Sequence, residues 1–286
     1  MSWDMPQNMI QATVEVEAPL PDGRHTIGTG FLINDPTPDG RPRTVLVTAN
    51  HVFDRMPGAE AHIGYRVQDK DGGWRYDPQP ITIRSGKTEL WRHNAAHDVA
   101  VIEVKAPPAF AKAAIPLSWL AGGEAFAKYG VGPGDEMMVL GYPQGLSANS
   151  AGFPILRSGR VASPIEAATQ NPTFLLDFRV FPGNSGGPVF IADSQRVTTD
   201  GTAQSVQFVA GMLTQQVELN NERLEIGIVT DATFIRDAIA LLDKPKSHGG
   251  HAAPDAPAAN PDIPVTVTDA AANTATAANV GSAVGD

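Results

Sequence analysis

The sequence predicts an all-β protein built from two six-stranded antiparallel β-barrels, with a C-terminal helix and a disordered tail. Three observations carry that reading. Short runs rich in β-branched and apolar residues recur at 12–17, 27–33, 44–48, 61–67, 80–84, 99–104, 136–141, 155–162, 173–180, 188–192, 206–213 and 224–229. D-G, P-D-G and D-G-G turns break them up, the pattern of a sandwich or a pair of barrels. The 286 residues also include 28 glycines and 24 prolines, which favours turns over long helices.

In chain order, residues 1–9 read as an arm without the charged start and apolar stretch of a secretory leader. Residues 10–120 hold the first six runs and form one barrel. Residues 107–123 carry few strand signals and connect the halves. Residues 121–243 hold the second six runs and one helix, in which Phe234, Ile235, Ala238, Leu241 and Leu242 follow helical spacing and Lys244-Pro245 marks the stop. From 244 to 286 the chain is rich in Ala, Pro, Thr and Asp, with no aromatic after Phe234. Such a segment cannot bury enough apolar surface to offset its ordering entropy, so it reads as a disordered tail. Within it, Val265-Thr266-Val267-Thr268 is the one piece suited to adding a strand to something.

Composition excludes several classes. A net charge of −10 without a basic cluster argues against nucleic acid and anionic membrane as partners. No apolar run approaches the roughly 20 residues of a spanning helix, so the chain reads as soluble, in an undetermined compartment. Zero cysteines excludes disulfides, a thiolate nucleophile and cysteine-ligated metal. No His/Asp/Glu cluster has metal-ligand spacing, and neither metal nor other cofactor is expected.

The chemistry centres on Pro182-Gly183-Asn184-Ser185-Gly186-Gly187-Pro188, a serine between glycines flanked by apolar runs. A nucleophilic serine needs a tight turn that projects its hydroxyl and converges amides on a developing oxyanion. An isolated S-G-G would be read as a hairpin turn. Upstream, however, His51 follows the apolar run 44–48, and Asp98 heads the run 99–104 although aspartate is disfavoured in strands. A hydroxyl, a base that cycles near neutral pH and a carboxylate that fixes its tautomer make up a Ser–His–Asp relay. The order is His51, Asp98, Ser185, with base and acid in one half and nucleophile in the other.

These residues resemble the chymotrypsin-fold (trypsin-like) serine proteases, in particular the bacterial branch that includes the HtrA/DegP protease domain. Thr26-Ile27-Gly28-Thr29-Gly30-Phe31-Leu32-Ile33 is similar to that family's T-G-x-G-F-L-I. Thr48 to Val52 is similar to T-A-x-H-V, with Asn50 where alanine is more usual, and Asp98 to Ile102 matches D-x-A-V-I. Gly141-Tyr142-Pro143-Gln144-Gly145 resembles G-x-P-x-G, and Ser158 to Ser163 resembles S-G-x-V-S. The resemblance covers about residues 10–240. It implies a peptidase with Ser185 as nucleophile, His51 as general base and then acid, and Asp98 as imidazole orienter. The N–H groups of Gly183 and Ser185 would form the oxyanion hole with help from Asn184.

A protein or peptide substrate is therefore expected, with oligomeric state left open. The resemblance places the floor of the specificity pocket at Arg179 and one wall along residues 212–216, with Thr214, Gln215 and Gln216 as substrate-binding residues. An inward Arg179 would favour an acidic side chain before the cut bond. An outward one would pair with Asp177 or solvent, which is the default for arginine. The insertion 193–205 reads either as a fringe of the cleft or as a plain surface loop. Asn184 replaces the aspartate that pairs with a freshly cut N-terminus in digestive relatives, so no proteolytic activation is expected. The 43 residues from Lys244 are too few for the peptide-binding domain of full HtrA chains, so a stand-alone protease is expected. The competing reading is a catalytically weak or inactive module that holds extended peptides along a strand edge.

Overall fold

A computed structural model describes residues 5–121, 123–165, 171–198, 201–219, 222–245 and 266–268. The chain folds as two antiparallel β units, and each of the twelve predicted runs overlaps an observed strand.

In the first unit the strands are β1 (Thr13–Pro19), β2 (His25–Asn34), β3 (Thr44–Ala49), β4 (Glu60–Gln68), β5 (Trp74–Thr82), β6 (Arg92–Asn94) and β7 (Val99–Val104). Their order is β5-β4-β1-β2-β3-β7-β6, with the two-residue strand Ile115–Pro116 running parallel to β2, so this sheet has eight strands. The sequence missed β6 because its three residues, Arg-His-Asn, lack apolar alternation. Central β7 is buried at Val99, Ala100, Val101 and Ile102 in a row, because both of its faces are covered.

The second unit consists of β8 (Glu136–Gly141), β9 (Ile155–Val161), β10 (Thr173–Asp177), β11 (Pro188–Val197), β12 (Ala203–Leu219) and β13 (Glu222–Asp231). They run β11-β8-β9-β10-β13-β12, and pairing of β12 back onto β11 closes a six-stranded barrel. The insertion 193–205 mostly continues β11 and β12 as a long hairpin. It is braced by Arg196, which donates to Asp135 Oδ1 (2.9 Å) and the Tyr129 carbonyl (2.6 Å). A further strand, β14 (Thr266–Thr268), pairs with β12. Of the expected tail, 244–286, only residues 244, 245 and 266–268 are described.

The arm is more structured than its sequence suggests. Helix α1 (Met5–Ala12) puts Met5, Met9 and Ala12 on one face by i, i+4 and i+7 spacing, and all three are buried. The connection 107–123 forms a short helix, α2 (Pro108–Ala113), that presents Phe110 to the core. The predicted C-terminal helix, α3 (Ala232–Ala240), begins where Asp231 accepts the Thr233 N–H (2.7 Å). Its buried face, Ala232, Ile235, Ala238 and Ile239, packs into the core of the first unit. The same core takes in Leu140, Phe190, Val209 and Met212 from the second barrel, so the two units share apolar contact.

Candidate active site

The site is assembled where the turn after residue 181 meets the end of β3. Beyond Ala49 the chain enters one short helical stretch, Asn50–Asp54, which holds His51 with its side chain 11% exposed. Asn50 departs from the usual motif for a local reason. Its Oδ1 accepts from Trp91 Nε1 (2.9 Å) and lies 3.0 Å from His93 Nδ1, fixing the strand that leads to Asp98.

Asp98 follows the 3-10 turn Ala95–His97 with φ +53°, a left-handed conformation that costs a non-glycine residue unless its surroundings impose it. Three bonds impose it here. Its carbonyl accepts the Asn50 N–H (3.0 Å), Oδ1 accepts the His51 N–H (2.9 Å), and Oδ2 meets His51 Nδ1 at 2.7 Å. Both carboxylate oxygens thus serve one histidine, one holding its backbone and one its ring. A carboxylate oxygen accepts, so this bond assigns a proton to Nδ1 and, in the neutral ring, leaves Nε2 as the acceptor.

Ser185 is 4% exposed, on a turn whose glycines have no room for a side chain. Gly183 has φ +91°, and a Cβ there would lie 2.1 Å from the Tyr142 carbonyl oxygen. Gly186 has φ +88°, and its Cβ would lie 2.4 Å from Thr48 Oγ1 and 3.1 Å from Ala49 N. The Ser185 turn is therefore pressed directly onto β3, which ends two residues before His51. Thr29, fully buried in β2, fastens it from the other barrel. Its N–H donates to the Ser185 carbonyl (2.8 Å) and its hydroxyl to the Gly183 carbonyl (2.6 Å).

The amides of the turn divide into two sets. Those of Asn184, Gly186 and Gly187 donate to the carbonyls of Phe181, Leu213 and Asn184. Those of Gly183 and Ser185 have no hydrogen-bond acceptor among the described residues. Two unspent donors beside one hydroxyl can receive an anionic oxygen. Asn184, expected to help there, sends its N–H to Phe181 O, and its Oδ1 accepts the Phe181 N–H (3.0 Å), so these two groups staple the turn. The Ser185 hydroxyl itself donates to the Thr214 carbonyl at 3.1 Å.

Among the other sequence candidates, Thr214 and Gln216 are each 2% exposed on β12, and Gln216 Nε2 donates to Glu218 (2.6 Å). Gln215 lies between them, opposite Ile228 of β13. The Arg179 side chain is 61% exposed and paired with Glu225 (3.2 Å), the outward arrangement, with Glu225 rather than Asp177 as its partner. His97 packs its ring on Phe234 at 3.6 Å between centroids, and burial holds its pKa below the ordinary value. His248 and His251 lie outside the described residues.

Residues 28–198 match the model of the trypsin-like peptidase domain family. The chain belongs to that family. Solved family-type structures agree in fold. The HtrA-type protease AlgW with a tripeptide matches at a TM-score of 0.50 and 14% identity, over 85% of this chain and 64% of that one. The chain thus spans less than two thirds of AlgW's length. The active form of the Rv3671c protease from M. tuberculosis matches at a TM-score of 0.50 and 19% identity, over 87% of this chain and 88% of that one. A comparison with curated proteins gives no match. Among the described residues, no helix is long and apolar enough to cross a membrane, and no group of three or more acidic or histidine side chains could hold a metal.

Two contributors escaped the sequence. Thr29 lies within the glycine motif but acts on residues more than 150 positions away. Arg66 is 2% exposed and donates to the carbonyls of Ile10, Gln11, Thr13 and Gly152 and to the Tyr142 hydroxyl. It ties α1 to the loop beside the Ser185 turn.

Proposed function

We propose that this chain is a serine endopeptidase that cleaves peptide bonds through an acyl-enzyme. Ser185 is the nucleophile, His51 the base and then the acid, and Asp98 the orienter. The observation that carries the reading is the double grip of Asp98 on His51, placed against the turn that holds Ser185.

Substrate binding turns the Ser185 hydroxyl from Thr214 toward His51. As Oγ bonds to the peptide carbonyl carbon, its proton passes to Nε2. The carbonyl oxygen becomes an oxyanion facing the N–H groups of Gly183 and Ser185. Collapse of this intermediate breaks the C–N bond, and the proton moves from Nε2 to the departing amine. Water then repeats the sequence on the ester and frees the acid. Throughout, the Asp98 carboxylate orients the ring and stabilises the imidazolium.

The test is incubation of the full-length chain with a peptide library, read by mass spectrometry. New termini that appear with the wild type and not with Ser185→Ala are expected. Equal cleavage by both would overturn the proposal, as would no cleavage by either. The latter outcome would favour a module that only binds extended peptides.

A further inference from the structure

The edge of β12 beside the nucleophile is already occupied by the chain's own C-terminal segment. β12 is long because it serves two neighbours in turn. Residues 203–212 pair with β11 on one side, and residues 211–219 pair with β13 on the other. Pairing with β11 ends at Met212, and beyond Leu213, which still bonds Gly186 and Gly187, β12 leaves one edge open. Thr214, at the start of that open edge, carries the carbonyl that receives Ser185 Oγ. An extended peptide presenting a bond to Ser185 therefore has this edge as its backbone partner. β14 pairs there antiparallel, with Thr268 opposite Gln216, Val267 opposite Val217 and Thr266 opposite Glu218.

We infer that the segment around Thr266–Thr268 is a built-in competitor, which docks as a β-strand on the edge that substrate uses and must leave before an extended peptide can bind. This rests on the proposed peptidase reading only in taking β12 as the substrate edge. The local chemistry suits the role. Thr-Val-Thr is β-branched throughout, in a stretch otherwise dominated by Ala, Pro and Asp, so it has strand preference where its neighbours have little. The preceding described residue in the chain is Pro245. The residues between can span about 3.3 Å each when extended, ample to return to β12.

The tether decides the magnitude. A tether presents the segment at an effective concentration on the order of millimolar. A three-residue strand that binds only in the millimolar range is then docked for a large share of the time. Binding of a free peptide is weakened by one plus the ratio of effective concentration to the strand's dissociation constant, about 2- to 10-fold. Removing the competitor should recover that factor.

The experiment uses the full-length chain carrying Ser185→Ala, so that no turnover intervenes, with and without Val267→Pro/Thr268→Pro. Adjacent strand residues direct their N–H groups to opposite edges, so the double substitution removes a ladder donor whichever edge faces β12. Amide hydrogen exchange over residues 214–219 should be protected in the parent and faster in the double variant. A labelled synthetic peptide of residues 262–272, titrated by fluorescence anisotropy, should bind the double variant 2- to 10-fold more tightly. Equal exchange in the two chains would overturn the docking, and equal peptide affinity would overturn the competition. Neither readout requires catalysis. Failure of the peptidase reading would appear separately, as absence of cleavage by chains that retain Ser185.

Discussion

The Thr29 hydroxyl, in the first barrel, donates to the carbonyl of Gly183 in the second at 2.6 Å, and it also accepts the Tyr142 N–H at 3.2 Å. One buried side chain thereby fixes the Gly183 carbonyl, whose own peptide unit ends in the Asn184 N–H bonded to Phe181 O, and so braces the turn that carries the two unspent N–H groups. The barrels are joined directly beside those groups. Thr29→Val keeps the shape and removes both bonds, leaving two buried backbone groups unsatisfied at about 1–3 kcal/mol each. The expected outcome is a loss of roughly 10- to 100-fold in kcat with little change in KM, and recovery in Thr29→Ser. A change confined to KM would contradict the strut.

Asp98→Asn should leave the fold intact, because asparagine tolerates the left-handed backbone that Asp98 adopts. An amide in place of Oδ2 would donate to Nδ1 and force the proton onto Nε2, the wrong tautomer for a base. A fall in kcat of about 10³- to 10⁴-fold is expected, with an unchanged Tm. Steady-state kinetics and thermal melts check both halves of this claim.

Gly183→Ala should fail in two ways at once. The added Cβ would lie 2.1 Å from the Tyr142 carbonyl oxygen at φ +91°, so either the turn or the Tyr142 segment must move. Activity should be lost and Tm lowered by several degrees. A variant with native Tm and native activity would mean that this turn is not held as described.

A pH effect on stability is expected from Glu15, buried in β1. Burial, reinforced by the charge of Glu17, raises its pKa from 4.5 to about 7, while the Tyr76 hydroxyl that donates to it (3.1 Å) works the other way. The folded chain therefore holds a proton that the unfolded chain releases. The associated stability is fully present below pH 4.5 and is lost as pH rises through about 7. Glu15→Gln should raise Tm at pH 8 by a few degrees and change it little at pH 4.5. An equal shift at both pH values would contradict this account.

Reading the sequence singled out His51, Asp98 and Ser185 as candidates because each sits in a short motif whose composition is constrained locally. The two-barrel class was legible for the same reason, since strand and turn signals are local. The parts that depend on distant contacts were not. Thr29 is an ordinary strand residue until Gly183 is placed against it. Arg66 looks like a surface arginine until α1 folds over it. Arg179 precedes an irregular turn, where period-two alternation stops, so sequence parity could not say which way it points. The strand character of Val265-Thr266-Val267-Thr268 was visible. Its partner was not, because that depends on where β11 ceases to pair with β12.

In the proposed mechanism His51, oriented by Asp98, activates Ser185. Labelling of the full-length chain by a fluorophosphonate probe tests this, because the probe reports an activated serine without assuming any peptide preference. The expected result is labelling of the wild type, none of Ser185→Ala, and labelling of His51→Ala slowed by at least a hundredfold. A wild-type chain that does not react, or a His51→Ala chain that reacts at the wild-type rate, would contradict it.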